Sequence, residues 1–178
     1  MALTSTLYNL TIDLADSDRG VYESLDLRVA RHPSESEEFL LARVLAYALE
    51  YREGIDFSRG LSDPDEPPIS VRDLTGNMRA WIDIGTPSAD RLHKAAKSTD
   101  RVAVYNHKES QQWLAGLGSA RIHRAHDLEL FALDRSLIAT LTARLDRRMS
   151  FAMSVSDGGI YLSFADGSLQ GTVSRLRM

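Results

Sequence analysis

The sequence predicts a mixed α/β fold, a central sheet flanked by helices and elaborated by β-hairpins at both ends. Three observations predict it. Segments near both termini alternate apolar and polar residues with the two-residue period of a half-buried strand. The stretch from Phe39 to Leu49 is apolar nearly all round, as in a helix buried against a sheet. Through the middle of the chain, short strand-like runs alternate with helical ones. At 178 residues the chain is the size of one domain, 1–178, and it contains no repeat, linker or low-complexity tract.

In chain order, "YNLTIDLAD" sets Tyr8, Leu10, Ile12 and Leu14 on one face, and "ESLDLRVA" does the same with Leu25, Leu27 and Val29. The turn-forming "DSDRG" between them makes the pair an antiparallel hairpin. "HPSESEEFLLARVLAYALEYR" follows as a helix, with Ser34 as N-cap and Glu37 completing a capping box. Glycines and prolines in "GIDFSRGLSDPDEPP" break it into a loop with a short strand. "ISVRD" and "MRAWIDIG", flanking "LTGN", read as a second hairpin. Pro87 and Ser88 open a helix to Ser98 with Leu92, Ala95 and Ala96 inward, and "RVAVYN" is an interior strand. "ESQQWLAGLG" reads as a short helix stopped by glycine, "LELFAL" as a strand, and "DRSLIATLTARLDRR" as a helix capped by Asp134. Three C-terminal strands are joined by "DGG" and "DGS", where Gly supplies the positive φ of tight hairpins.

The composition, 43% hydrophobic and 26% charged, is that of a soluble globular protein. With no cysteine, disulfides and thiolate metal sites are excluded. The N-terminus has no basic region followed by an apolar run, and no segment approaches the ~20 apolar residues that cross a bilayer, so a cytoplasmic protein without membrane contact is expected. The net charge of −4 argues against nucleic-acid binding by bulk charge. The charge is uneven, however: residues 1–80 hold 8 Lys/Arg against 15 Asp/Glu, and residues 81–178 hold 13 against 10. That asymmetry suits an acidic pocket beside a phosphate-binding face, and a scatter of surface charge explains it as well.

The stretch "WIDIGTPSADRLHK" carries the candidate site. Asp83 lies just below the tip of a strand. Lys94, about 9 Å along the following helix, returns to its level if that helix folds back on the sheet. A hairpin turn centred near residue 76 sets Asp83 opposite about Ile69, which leaves Asp73 about 13 Å away. Asp65 and Glu66 in "DEP" are therefore preferred as the partner acid. Glu38, aligned with Leu41, Ala42 and Leu45, is a third candidate, while Glu35 and Glu37 point outward. Carboxylates with a lysine suit Mg²⁺ or Mn²⁺, which take oxygen ligands and acidify water beside a phosphodiester. Each residue also has a plain structural explanation: acids in a first helical turn favour the helix dipole, and Asp90–Lys94 is an ordinary i,i+4 pair. Arg91, Lys97 and Arg101 could meet a phosphate backbone or simply form a solvated helix face. His123 and His126 lack a third ligand, His32 reads as structural, and Trp81 and Trp113 read as core or rim. "GLGS" lacks the context of a phosphate loop.

The motifs "ARHPSE", "FSRGL", "DEP", "WIDIG" and Pro87…Arg91…Lys94, in this order over nearly the whole chain, resemble the YaeQ family of bacterial proteins. The resemblance implies a variant of the PD-(D/E)xK restriction-endonuclease-like fold, with an αβββαβ core and an active site at a split in the sheet. It also implies that Asp83 is the (D/E) of the motif, that Asp65 or Glu66 is the first acid, and that Glu38 is the acid of the first core helix. Gly85 stands where the motif has lysine, so Lys94 must supply that role from the following helix.

The expected function is a metal-dependent phosphodiesterase or nuclease-like activity. Asp83 with Asp65/Glu66 would hold Mg²⁺ or Mn²⁺, Glu38 would assist, Lys94 would orient water, and Arg91 and Lys97 would contact phosphate. The alternative is a non-catalytic regulatory protein that keeps the nuclease scaffold and binds nucleic acid or a protein partner. A monomer is expected.

Overall fold

The computed structural model describes residues 4–58 and 65–178. Among them, ten strands and four α-helices follow in the order β1 (Thr6–Asp16), β2 (Val21–Arg31), α1 (Glu37–Leu49), β3 (Ile55–Phe57), β4 (Ile69–Arg72), β5 (Met78–Ile84), α2 (Ala89–Ser98), β6 (Arg101–Asn106), α3 (Gln111–Ser119), β7 (Glu129–Leu133), α4 (Arg135–Thr142), β8 (Arg148–Ser156), β9 (Gly159–Phe164) and β10 (Gly167–Leu176). The fold is mixed α+β, and it divides into two compact units. One unit joins the chain up to Leu41 with Leu133–Val173; the other takes Ala42–Ala132 and Ser174–Met178.

In the first unit the strand order is β2-β1-β8-β9-β10. The β1–β2 hairpin runs antiparallel from Asp16↔Val21 to Thr6↔Arg31 without a break in register. Its alternation buries Leu10, Ile12, Leu14, Leu25, Leu27 and Val29, the face the sequence marks as apolar. On its other side β1 runs parallel to β8, from Asn9↔Arg148 to Asp16↔Val155. The β8–β9 hairpin closes at Ser156↔Gly159 around Asp157 and Gly158. Both have positive φ, +51° and +76°, as a two-residue hairpin turn of matching twist requires. The next hairpin closes at Phe164↔Gly167, so its glycine begins the strand rather than making the turn.

In the second unit the order is β7-β6-β5-β4-β3. Strands β3, β4 and β5 are antiparallel, and β5, β6 and β7 are parallel. Leu92, Ala95 and Ala96 of α2 pack with Trp81, Val104 and Leu130 in one buried cluster. Helix α1, divided between the units at Leu41, is buried at Leu40, Leu41, Ala42, Val44, Leu45 and Ala46.

Three local expectations are corrected. Helix α1 is capped by Ser36, whose Oγ accepts from Phe39 N at 3.1 Å. Ser34 instead pairs with His32 Nδ1 at 2.7 Å, because "HPSE" forms a turn of its own in which Glu35 N donates to His32 O. Helix α3 runs through Gly116 and Gly118 to Ser119, so glycine does not stop it. Helix α4 keeps its Asp134 cap but ends at Thr142.

Candidate functional site

Strand β5 is buried from Ala80 to Ile84, and β6 runs beside it in parallel with Asp83↔Val104 and Ile84↔Tyr105. At Gly85 the chain leaves the sheet with φ +83°, a conformation that favours glycine. Its N–H still donates to Tyr105 O at 2.9 Å. Thr86 and Pro87 lead to Ser88, which caps α2 by accepting from Arg91 N at 3.2 Å. The C-terminal ends of parallel strands and the start of the next helix thus meet here, the usual position of a ligand crevice in an open α/β sheet.

Asp83 is 3% exposed. Its Oδ2 accepts from Trp81 Nε1 at 3.1 Å and from Arg91 Nε at 2.7 Å. Trp81 and Asp83, two residues apart, share one face of β5, and the Arg91 guanidinium lies 5.1 Å from the Trp81 ring centroid. Arg91 Nη2 also donates to the Glu66 backbone oxygen at 2.9 Å. One guanidinium therefore ties the "DEP" segment to Asp83. A buried carboxylate needs such a counter-cation, because an unpaired charge out of water costs several kcal/mol.

The expected residues divide into two groups. Asp83, Arg91 and the Glu66 segment come together. Glu66 is half-buried and lines a cleft of about 620 Å³ with Asp56, Ser70, Arg72 and Asp73, while Asp65 is exposed. Lys94 and Lys97 are exposed, and Lys94 makes no ion pair or hydrogen bond among the described residues. Glu38, expected on the inner face of α1, is exposed, and Glu35, expected outward, is the buried one. The helix starts later than the Ser34 cap implies, so Glu35 belongs to the preceding turn, where Arg31 Nη1 donates to its carbonyl at 2.9 Å. The hairpin register also differs by one: Ile69 faces Ile82, because a bulge between Val71 and Arg72 shifts the pairing.

Asp73 is occupied elsewhere. Its carboxylate accepts from Thr75 Oγ1 at 2.6 Å, from the backbone N–H of Thr75 and Asn77, and from Arg79 Nε. The Thr75 hydroxyl foremost, then the backbone donors and Arg79, hold its pKa down at about 2, below the usual 3.8. Arg101, read from sequence as either a phosphate contact or part of a solvated face, is bonded to Glu50 at 2.7 and 2.9 Å and to Glu129 at 2.6 Å.

Sequence reasoning passed over Asn106 and His107, both buried at the end of β6. Asn106 donates to Lys108 O and Ser110 Oγ and accepts from Lys108 N, which shapes the entry to α3. A polar residue closing the apolar run "RVAVY" was the available signal. Trp113 Nε1 donates to Pro87 O at 2.8 Å, linking α3 to the turn below α2. His93 Nδ1 accepts from His123 N at 3.0 Å, and His126 lies 3.4 Å from Asp127. Among the described residues no group of three or more His, Asp or Glu could hold a metal ion, and no helix is long and apolar enough to cross a membrane.

These features define a mixed α+β protein in which Asp83, buried and ion-paired, lies at the mouth of the parallel β5–β6 pair. The chain belongs to the YaeQ family: the family model described as YaeQ protein matches residues 1–173. It is 34% identical over 172 residues to the uncharacterized protein YaeQ of Escherichia coli strain K12, covering 96% of this chain and 94% of that protein. The Salmonella typhi counterpart is 35% identical over the same length. Among solved structures, the YaeQ protein of Xanthomonas axonopodis pv. citri matches with TM-score 0.88 and 33% identity, covering 97% of this chain and 98% of that one. The YaeQ protein of Pseudomonas syringae matches with TM-score 0.87 and 31% identity, covering 98% and 97%.

Proposed function

We propose that this protein is a metal-dependent phosphodiesterase of nuclease type, built on a variant PD-(D/E)xK core. The observation that carries the reading is the single Arg91 guanidinium bound to both the Asp83 carboxylate and the Glu66 backbone, which gathers the two acid-bearing segments at one point. The element order α1-β3-β4-β5-α2-β6 supports it, since it has the αβββαβ sequence of that core, with "DEP" before the second strand and Asp83 on the third.

Magnesium commonly takes only one or two protein carboxylates, with water and substrate phosphate completing its shell. Asp83 and the acids of "DEP" fit a cation that arrives with its substrate, and they do not form a dedicated cage. Such a cation would acidify water and offset phosphate charge. Arg91 fixes the orientation of the Asp83 carboxylate, as the Trp81 N–H also does. Lys94 and Lys97, on the exposed side of α2, would meet a phosphodiester from solvent.

A second reading, a non-catalytic scaffold that binds nucleic acid or a protein, is favoured by one observation: Asp83 already has a cation, and Lys94 stands apart from it. One experiment separates the two. Mn²⁺ is titrated calorimetrically into wild type and Asp83→Asn, alone and with short DNA and RNA strands present. Binding that requires Asp83, with strand cleavage on longer incubation, is the expected result. Strand binding indifferent to Mn²⁺ and to Asp83→Asn, with no cleavage, would establish the scaffold instead.

A further inference from the structure

The buried Asp83 carboxylate carries two donors on one oxygen. Trp81 Nε1 and Arg91 Nε both donate to Oδ2, at 3.1 and 2.7 Å, and among the described residues no hydrogen bond reaches Oδ1. The two donors differ in kind. Trp81 stands two residues before Asp83 on β5, and its ring is buried in the cluster packed with α2, so its bond is fixed by the core. Arg91 reaches across from α2 on a long side chain that is 25% exposed, against 4% for that of Asp83. Its guanidinium brings a full positive charge to the carboxylate. A divalent cation arriving alone at Oδ1 would meet that charge a few ångströms away, with little water between them to screen it.

We infer that Arg91 is an internal counter-cation, which keeps a free divalent cation off Asp83 and yields the carboxylate when a phosphodiester arrives to take the guanidinium. The inference rests on the phosphodiesterase reading above and says how that site is regulated. A pair of phosphate oxygens matches the guanidinium fork as well as a carboxylate does. The exposed part of the Arg91 side chain lets a phosphate meet it from solvent. Its Nη2 bond to the Glu66 backbone oxygen, 2.9 Å, keeps the guanidinium beside the site while Nε changes partner. Trp81 keeps the Asp83 carboxylate oriented through the exchange, and a divalent cation replaces the charge that has left it. Cation and phosphodiester then each raise the affinity of the other by the same factor.

The test is a calorimetric titration of Mn²⁺ into wild type, Arg91→Gln and the double variant Asp83→Asn/Arg91→Gln. Each is run with and without a thymidine dinucleotide, the simplest strand with a phosphodiester. Arg91→Gln is expected to bind Mn²⁺ alone about ten-fold more tightly than wild type. The dinucleotide should tighten Mn²⁺ binding to wild type and leave Arg91→Gln nearly unchanged, and the double variant should lose the site. In wild type, the Arg91 Nε–H NMR resonance should move when Mg²⁺ and the dinucleotide are added together, and stay in place with Mg²⁺ alone. That measurement needs no variant, so it decides the matter if circular dichroism finds Arg91→Gln unfolded. Mn²⁺ binding that requires Asp83 but is no tighter in Arg91→Gln would overturn the inference and leave the metal site standing. An Arg91 resonance unmoved by Mg²⁺ and dinucleotide together would overturn it too. No Asp83-dependent binding in any variant, with or without the dinucleotide, would remove the metal-dependent reading and this inference together.

Discussion

At the scale of single residues, the place of Asp83 just below a strand tip was legible, and its ion pair with Arg91 was not. The helical wheel of α2 contained the answer. Leu92, Ala95 and Ala96 are the buried positions, and Arg91 precedes Leu92 by one and Ala95 by four, on the flank of that face. Lys94 lies about 200° from Leu92 and from Ala96, opposite to it, so spacing along the axis alone did not reveal that Arg91 is the cation bonded to Asp83. Replacing Asp83 by Asn leaves Arg91 facing a neutral amide, with its own side chain 25% exposed. A loss of about 2 kcal/mol in urea unfolding is expected, and hydration of the partly exposed guanidinium limits it to that. Asp73 makes a separate prediction. Its pKa is depressed in the folded state, so its contribution is present above the ordinary value of 3.8 and lost as pH falls through about 2. The side-chain carboxyl resonance of Asp73 should titrate near that lower value. Thr75→Val, which removes the principal donor, should move the midpoint back towards 3.8.

At the scale of elements, strand alternation and turn chemistry were read correctly where a local rule was sufficient. The Asp157–Gly158 turn and the β1–β2 hairpin are the clearest cases. Errors arose where a local signal had competition. Ser34 looks like a cap, yet Ser36 is the residue adjoining the helix, and Ser34 is spent on His32. The bulge at Val71/Arg72 shifts a register that a regular hairpin would have set. That bulge faces Gly54, a position whose role no pattern announces. Gly54 has φ +90°, its carbonyl accepts from Arg72 N at 2.9 Å, and an added Cβ would collide with the Arg72 carbonyl. Gly20 has φ +68° with nothing nearby. Gly20→Ala should therefore cost about 1 kcal/mol, the backbone strain alone. Gly54→Ala should cost clearly more, with β3 and β4 losing hydrogen-exchange protection locally. Equal costs at the two glycines would mean that the β3–β4 segment yields freely.

At the scale of the whole molecule, the fold class and the order of elements were legible, and the pairing of β1 with β8 was not. Those partners are separated by nearly the entire chain, and no local pattern encodes a contact of that range. The same limit hid the ion network of the second unit, although Glu50, Arg101 and Glu129 each stand in plain view. Glu50, at the end of α1, is 3% exposed, accepts two bonds from Arg101, and accepts a third from Tyr105 Oη at 2.6 Å. Arg101 reaches Glu129 of β7, which also lies 3.7 Å from Arg175. Burial by itself would lower the Arg101 pKa, but its bonds to Glu50 and Glu129 outweigh that and raise it, so the guanidinium stays charged. The network thus joins a helix to two parallel strands through charges largely withdrawn from water. Glu50→Gln should destabilise the protein by about 3 kcal/mol, because it leaves Arg101 under-compensated inside the fold. A loss of that size is a large share of a typical domain's stability. The effect should change little between low and high salt, since buried pairs are poorly screened. Arg79→Met, which breaks an exposed network with Asp73 and Asp100, should leave global stability unchanged. Guanidinium-free unfolding in urea, run for both variants at two ionic strengths, measures the contrast. If Glu50→Gln proves as silent as Arg79→Met, the α1–β6–β7 junction is held by its apolar packing alone.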